Sequence, residues 1–367
     1  MANTFLTTQQ IAREALLRLR ANQVMARLVH TDFSAEFGSF GDTIRVRKPA
    51  TFAAEEFSGT TSPQNIEEGY VNVALDKIAD VSVEVTAKEM TLNIEDFVFQ
   101  VIDGAMQAIA QKIDTDLHGL YVDVPYSSPV SGTATLGDIA KVRKVLQDNK
   151  APQAQRRLVV GTETEADLLG LEALTSINRA GTGSALREAE LGRVMGFDIF
   201  ASQNVRDHTA GAYASLTDVT ATAAAAATSI ALTSTAGAST GKLLKGDIFT
   251  TADGQSFTVT ADSPAAVAGV VTVAVSPAVG TALTASAVTF VKSHEASLAF
   301  HRNAFAFVNR PLALPAGGAD GYVTSFKGLS LRVTQDYVMS SKKNLISFDI
   351  LYGVKTLQPE LAARFTR

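Results

Sequence analysis

The chain has 367 residues, of which 46% are hydrophobic and 19% are charged, and its formal net charge is -5. This length and hydrophobic content are sufficient for two or three domains with apolar cores, and they exclude a disordered tail. The net negative charge argues against a sequence-reading DNA binder, and the absence of cysteine excludes disulfides, thiolate metal sites and cysteine nucleophiles.

The N-terminal segment predicts an amphipathic helix. Thr7 and Gln10 have the spacing of a capping box, and apolar residues follow at helical spacing: Ile11, Ala15, Leu19, Val24 and Leu28. We expect the other face of this helix, which carries four arginines, to be solvated: Arg13, Arg18, Arg20 and Arg27. The polar start and the lack of any run of about 18 apolar residues predict neither a signal peptide nor a membrane span.

Alternating apolar residues predict a long β-arm after this helix. Ile44 and Val46 alternate with arginines up to Pro49, and the alternation resumes at Val71 and again at Val81. The polar stretch between these runs, 51–69, is too long for a tight turn. We predict that the arm buries little against its own subunit and contacts a neighbour through its charged ends: Arg45, Arg47, Lys48, Glu55, Glu56, Glu67 and Glu68.

The strongest helical pattern runs from Asn93 to Leu120 and predicts one helix about 40 Å long. Beyond Pro129 the pattern indicates α/β structure, with helices at 135–148 and from a capping box at Thr162 to Glu165, and strands at 158–160 and 197–201.

From 217 to 292 the composition changes to Ala, Thr, Ser, Val and Gly, which predicts an inserted all-β module. We expect strands at 229–233, 247–251, 256–260, 270–275 and 287–291, with a hairpin turn at Asp253 and Gly254. Further strands are predicted near 298–307, 328–334 and 345–351, before an amphipathic stretch at 359–365.

The sequence offers little that indicates catalysis. Ser239 lies in a G-x-S-x-G pattern, but its Ser/Thr/Gly/Ala surroundings favour a turn over a hydrolase elbow. The five histidines show no metal-ligand spacing, and two carboxylate pairs, Asp114 with Asp116 and Glu163 with Glu165, are interpreted as solvent-facing charges. We therefore expect no enzyme activity, no cofactor and no metal.

The order of these parts resembles the Hong Kong ninety-seven type capsid fold of tailed bacteriophages. Residues 41–49, GDTIRVRKP, look like the entry to that family's extended loop. Residues 347–355, SFDILYGVK, with the following Pro359-Glu360-Leu361, look like the closing segment of the coat proteins of short-tailed enterobacterial phages, which carry an inserted β domain.

The resemblance implies an α+β fold with an N-terminal arm, an extended β-hairpin loop, a spine-helix peripheral domain, an axial α/β domain and an inserted all-β domain. The divisions it implies are 1–40 for the N-terminal arm and helix, 41–90 for the extended arm and peripheral strands, 91–128 for the spine helix, 129–216 for the first axial part, 217–292 for the insertion, and 293–367 for the axial remainder and the return to the peripheral domain.

The implied function is that of a major capsid protein, which self-assembles into the pentamers and hexamers of an icosahedral head and encloses double-stranded DNA without sequence-specific binding. Expected partners are a separate scaffolding protein and a portal, with a decoration protein as a further candidate, and no membrane is expected. The expected location is the virion, after assembly in the host cytoplasm. Two alternatives remain: a nanocompartment shell protein of the same fold, and a β-domain adhesin or receptor-binding protein that uses 217–292.

Overall fold

The computed structural model describes residues 8–31, 43–47, 69–86, 101–176, 184–234, 240–315, 317, 320–326, 328–340 and 343–367. Strands dominate this mixed fold of helices and strands. Contacts within the chain divide it into two compact units. Unit 1 takes in Met1–Ala26, His30–Ile113 and Ala306–Leu357, and unit 2 takes in Arg27–Val29, Asp114–Phe305 and Gln358–Arg367.

The described residues form the following α-helices and strands, given in chain order. The α-helices are α1 (Thr8–Asn22), α2 (Asp103–His118), α3 (Leu136–Asp148), α4 (Thr162–Leu169), α5 (Glu172–Thr175) and α6 (Ser184–Glu188). The strands are β1 (Thr43–Arg47), β2 (Tyr70–Ala74), β3 (Lys77–Thr86), β4 (Ser127–Pro129), β5 (Arg156–Val160), β6 (Arg193–Val194), β7 (Phe197–Ala201), β8 (Asp207–His208), β9 (Val219–Ala223), β10 (Ser229–Ser234), β11 (Ile248–Thr251), β12 (Ser256–Val259), β13 (Val270–Ser276), β14 (Leu283–Phe290), β15 (His294–His301), β16 (Phe305–Arg310), β17 (Asp320–Phe326), β18 (Leu329–Val338), β19 (Lys343–Thr356) and β20 (Ala362–Thr366).

The N-terminal helix is shorter than predicted, and its arginine face is only partly solvated. Helix α1 ends at Asn22, a weak helix former, and the chain continues as a 3-10 turn, Met25–Arg27, so the helical face does not extend to Leu28. Arg18 forms an ion pair with Asp103, and the Arg20 guanidinium lies 5.2 Å from the Phe326 ring centre. These contacts hold the helix to α2 and β17 inside unit 1.

An antiparallel sheet forms the framework of unit 1. Its order is β16-β19-β18-β17, and β3 pairs with β19 along ten residues, from Lys77 opposite Tyr352 to Thr86 opposite Lys343. The strands near 328–334 and 345–351 are confirmed, while β17 was not predicted.

The base of the β-arm is an antiparallel pair of β1 and β2, as the alternation predicted. The expectation that the arm buries little within its own chain is wrong for this part. Ile44, Val46 and Val73 are buried against a patch of the same unit formed by Ala306, Val308 and Leu357. Alternation places these side chains on one face of the hairpin, and β16 covers that face.

A mixed sheet forms the first half of unit 2. Its order is β4-β20-β15-β5-β7-β6, with β8 beside β15, and β5 and β7 run parallel. Helix α3, with its Thr135–Asp138 capping box, packs Ile139, Val142 and Leu146 into the core of this sheet. The final stretch, predicted to be amphipathic, contains the fully buried strand β20.

Helix α4 begins differently from the prediction. Gly161, not Thr162, is the N-cap residue, so Thr162 lies inside the helix. The carboxylate of Glu295 on β15 accepts hydrogen bonds from the backbone N–H of Glu163 (3.1 Å) and the hydroxyl of Thr164 (2.5 Å). A distant residue thus satisfies the helix N-terminus.

The second half of unit 2 is a closed antiparallel barrel, in the order β10-β13-β12-β11-β14-β9. Its core includes Phe249, Phe257 and Phe290. The centre of the Phe249 ring lies 5.5 Å from that of Phe257 and 5.7 Å from that of Phe290. The predicted strands are confirmed, and Gly254, with φ of 81°, occupies the predicted turn between β11 and β12. Strand β9 was not predicted.

Candidate functional site

Arg45 is the predicted contact residue whose side chain the structure describes. It is exposed on β1, and its guanidinium lies 4.9 Å from the centre of the Tyr70 ring. Tyr70 itself is 57% exposed. The stacked pair presents a flat cationic and aromatic surface, a combination enriched where proteins bind one another.

The other predicted contact residues lie outside the described side chains. The backbone of Arg47 pairs with Tyr70 of β2, but nothing is described of its side chain. Lys48, Glu55, Glu56, Glu67 and Glu68 all fall outside the described residues. Their role in subunit contact stays a prediction.

A buried chain of hydrogen bonds connects the barrel to the rest of unit 2. The Tyr121 hydroxyl lies 3.1 Å from His208 Nδ1, and His208 Nε2 lies 2.9 Å from Asp247 Oδ1. A carboxylate can only accept, so Nε2 carries the proton and Nδ1 accepts from the phenol. Burial raises the pKa of Tyr121, which keeps that phenol protonated. Asp247 also accepts from the backbone N–H groups of Gly211 and Leu244.

Arg364 of β20 is the largest fully buried side chain in the described part of the chain, at 0% exposure. Its Nη1 donates to the Gly246 carbonyl (2.7 Å) and its Nη2 to the Thr258 hydroxyl (3.2 Å), both on the barrel. The guanidinium also lies 5.0 Å from the centre of the Tyr121 ring. Burial lowers the pKa of Arg364 to about 9, so the group is still charged at pH 7.

Two further buried histidines are grouped with this region, His294 because its ring contacts His208, and His118 because the charge of Arg206 acts on both it and Tyr121. His294 Nδ1 lies 2.7 Å from the Lys292 carbonyl, so Nδ1 carries the proton, and the His294 ring is 5.3 Å from that of His208. His294 Nε2 and both ring nitrogens of His118 are buried without a hydrogen-bond partner among the described residues. The name junction cluster is used below for His118, Tyr121, His208, Asp247, His294 and Arg364.

The structure corrects two interpretations of the sequence. The histidines are not all isolated, since His208 and His294 lie side by side. Asp114, interpreted as solvent-facing, is 1% exposed. Chain distance hid the contact between the histidines, because the cluster joins residues between 118 and 364; the signal available was a histidine or arginine inside an otherwise apolar strand, as at Arg364.

The chemistry open to these residues is limited by access. The tyrosine, histidine and aspartate of this chain are 8%, 3% and 0% exposed, so little of their surface reaches solvent. No group of three or more potential metal-ligating residues converges within the described ranges. Ser239 falls outside the described residues, so its interpretation stays a prediction. Among the helices of the described part, none has the length and apolarity needed to cross a membrane.

A pair of carboxyl groups lies on the sheet of unit 1. Asp80 of β3 is directly opposite Asp349 of β19, which in turn is opposite Arg332 of β18. Arg332 donates to Asp349 Oδ2 at 2.6 and 3.0 Å. The Ser347 hydroxyl lies 2.7 Å from an oxygen of each carboxyl, but it has only one hydrogen to donate. A carboxyl proton is therefore needed for both contacts to be hydrogen bonds.

The surroundings of the pair shift the pKa values of the two acids in opposite directions. Burial, and then the hydrogen bond with Asp80, raise the pKa of Asp349 despite Arg332. Although burial opposes it, hydrogen bonds from Asp349, Ser347 and Ser82 lower the pKa of Asp80. These opposite pKa directions favour the proton on Asp349 and the negative charge on Asp80.

We expect D349N to gain stability relative to the wild type as the pH rises from 4 to 7, by up to about 1 kcal/mol. A raised pKa in the folded chain means that the contribution of Asp349 is complete below its ordinary pKa of 3.8 and is lost as the pH rises through the folded value. Asparagine keeps a donor toward Asp80 at every pH. Urea unfolding at several pH values measures the difference, and a constant difference would contradict proton sharing.

Comparisons with known proteins give the fold but no family. No protein-family model matches the sequence, and no curated protein sequence matches it. A chain in the solved structure "Mycobacterium phage Che8" is similar over 94% of this chain and 90% of that chain, with a TM-score of 0.52 and 16% identity.

Two other similar chains come from structures whose titles name a phage capsid. For "Capsid of Ralstonia phage GP4" the TM-score is 0.47 at 9% identity, over 93% of this chain and 88% of that one. For "Capsid structure of the Cyanophage P-SCSP1u" the TM-score is 0.46 at 13% identity, over 89% of this chain and 84% of that one. The structural neighbours therefore include phage capsid chains at low sequence identity, and the Che8 match shows a shared fold over nearly the whole length.

Proposed function

We propose that this chain is the major capsid protein of a tailed bacteriophage, a subunit that self-assembles into the pentamers and hexamers of an icosahedral head around double-stranded DNA. The observation that carries the proposal is the near full-length fold similarity to a chain of Mycobacterium phage Che8. A net charge of -5 agrees with a shell that encloses DNA without gripping it. In this proposal the subunit acts structurally and catalyses no reaction.

The parts of the fold receive roles within this proposal. The hairpin base of β1 and β2 would carry the extended arm, α2 would belong to the spine helix of the peripheral domain, and the mixed sheet of unit 2 would be the axial domain. The closed barrel, inside 217–292, would be the inserted domain. Repetition of modest interfaces by symmetry would stabilise the particle, with a scaffolding protein and a portal as assembly partners.

Electron microscopy of the expressed full-length chain, alone and together with candidate scaffolding proteins from its genome neighbourhood, tests the proposal. We expect closed icosahedral particles of uniform size. Nucleic acid inside particles recovered from infected cells supports the phage head, whereas a packed protein cargo would indicate a nanocompartment. A chain that stays monomeric with every candidate partner contradicts the shell function.

The variant R45E/R47E tests the contact surface of the arm. If these arginines meet acidic groups of a neighbouring subunit, reversing both charges creates like-charge contacts, and the protein concentration needed for assembly should rise at least about tenfold, equivalent to about 1.4 kcal/mol. Sedimentation of assembled particles across a concentration series measures this threshold.

The matched control is R193E, which reverses an exposed arginine on the sheet of unit 2 that lies 3.7 Å from Asp198. Both variants should fold, because an exposed cation–π contact contributes only about 0.5–1 kcal/mol. Assembly of R45E/R47E at the wild-type threshold would remove the arm arginines from the list of subunit contacts.

A further inference from the structure

The barrel is attached to the rest of unit 2 through a small number of buried polar contacts. Thr258 donates from its hydroxyl to the Val122 carbonyl (2.8 Å), Arg364 donates to Gly246 and Thr258, and His208 bonds to Asp247. Gly246 has φ of 95°, and a Cβ there would lie 2.9 Å from Val122. The positive φ and this close approach favour glycine at position 246.

The barrel itself does not depend on these contacts for its closure. Its strands pair with one another around the full circle, and its core includes Phe249, Phe257 and Val273 from its own strands. The chain enters the barrel through the segment before β9 and leaves it through the segment after β14. The barrel can therefore stay folded when its attachment opens.

The two histidines with unpartnered nitrogens are in surroundings that oppose a positive charge. Protonation of His294 at Nε2 would create a buried N–H with no acceptor among the described residues, beside the His208 ring, and the positive charge of Arg364 opposes it. His118 is 1% exposed, and the charged group that acts on it is Arg206. The titratable and charged groups around these histidines and their neighbours are Arg206, Arg364, Asp123, Asp207, Asp247, Tyr121 and His208.

We propose that the junction cluster is a proton-operated attachment, in which proton uptake by His118 and His294 releases the intact barrel from the mixed sheet as the pH falls. Burial beside arginine lowers the pKa of both histidines from 6.5 to about 4 in the closed form. An opened junction returns them to water and to their ordinary pKa. The closed form is thus fully favoured above pH 6.5 and loses this advantage as the pH falls toward 4.

Hydrogen exchange of the full chain tests the inference. For each histidine, these pKa values increase the opening equilibrium on the order of 50-fold between pH 7 and pH 4.5. After correction for intrinsic exchange rates, the amide of Gly211, which donates to Asp247, should gain at least tenfold in exchange rate at pH 4.5. The amides of Val271 and Val273, which lie on β13 of the barrel, should keep their exchange rates at pH 4.5.

The variant H118F/H294Q removes both titrating groups, while glutamine keeps a donor for the Lys292 carbonyl. We expect it to lose the acid-induced exchange at the junction. The matched control H301Q replaces another buried histidine at the opposite end of β15, about 23 Å along the strand, and should respond like the wild type. If the double variant does not fold, H118F and H294Q are tested singly, and each should lose part of the pH response.

Two results would overturn the inference: acid-induced junction exchange that persists unchanged in the histidine variants, or barrel-ladder amides that open together with the junction, which would mean global unfolding. The measurement is made on the single chain. It therefore stands or falls independently of whether the chain assembles into a shell.

Discussion

R364M is expected to lower the free energy of unfolding by about 3–5 kcal/mol. Methionine keeps an apolar stem of similar length but removes the donors to the Gly246 carbonyl and the Thr258 hydroxyl, which stay buried. It also removes the positive charge near buried Asp247. Urea unfolding followed by circular dichroism measures the loss; tryptophan fluorescence cannot be used, because the chain has no tryptophan.

R193M is the matched control for this substitution. Arg193 is 67% exposed at its side chain and lies 3.7 Å from Asp198, so its removal should change stability by no more than about 0.5 kcal/mol. R364K should fall between the wild type and R364M, because lysine restores the charge but not the planar set of donors. Equal stability of R364M and R193M would show that the guanidinium does not hold the barrel to β20.

G353A is expected to destabilise unit 1 by about 2–3 kcal/mol and to detach the base of the β-arm. A Cβ at position 353 of β19 would lie well inside van der Waals contact of the Ala74 carbonyl oxygen, which is backbone and cannot rotate away. The pair β1 and β2 would have to move from β19, exposing the peptide bonds after Arg45 and Arg47. Limited trypsin digestion should therefore cut the variant there faster than the wild type.

G104A is the control, since nothing lies within 4 Å of a Cβ at position 104. Alanine in this helical position should raise stability by about 0.5–1 kcal/mol, and it should leave trypsin cleavage at the arm unchanged. If G353A and G104A have the same cleavage rate, the close approach of β2 and β19 does not anchor the arm.

Local patterns were enough to locate most of the secondary structure. Apart from β9, the barrel strands lie where alternation predicted them, as do β7 and α3, because these signals depend on neighbours only two to four positions away. Strand β17 was missed because it carries Gly321 and Ser325 and has no clear alternation. The start of α4 was misplaced because its N-terminus is satisfied by Glu295, a residue more than 130 positions away.

The candidate sites also differ in how far the sequence could predict them. The exposure of Arg45 could be predicted from sequence, because it alternates with the apolar Ile44 and Val46 on one strand, while its role in subunit contact stays a prediction. The Asp80 and Asp349 pair required the register of β3 against β19, in which a shift of one residue would place the two acids on opposite faces.

The sequence by itself indicated a fold that mixes helices and strands and the all-β character of 217–292, since these follow from composition and from periodicities of two and 3.6 residues. Only the tertiary structure decided that the apolar face of the arm base is covered by its own unit, and that residues from Tyr121 to Arg364 meet in one buried junction cluster. The physical reason is that burial and the pairing of buried charges depend on strand register and on contacts between distant segments, which no local pattern encodes.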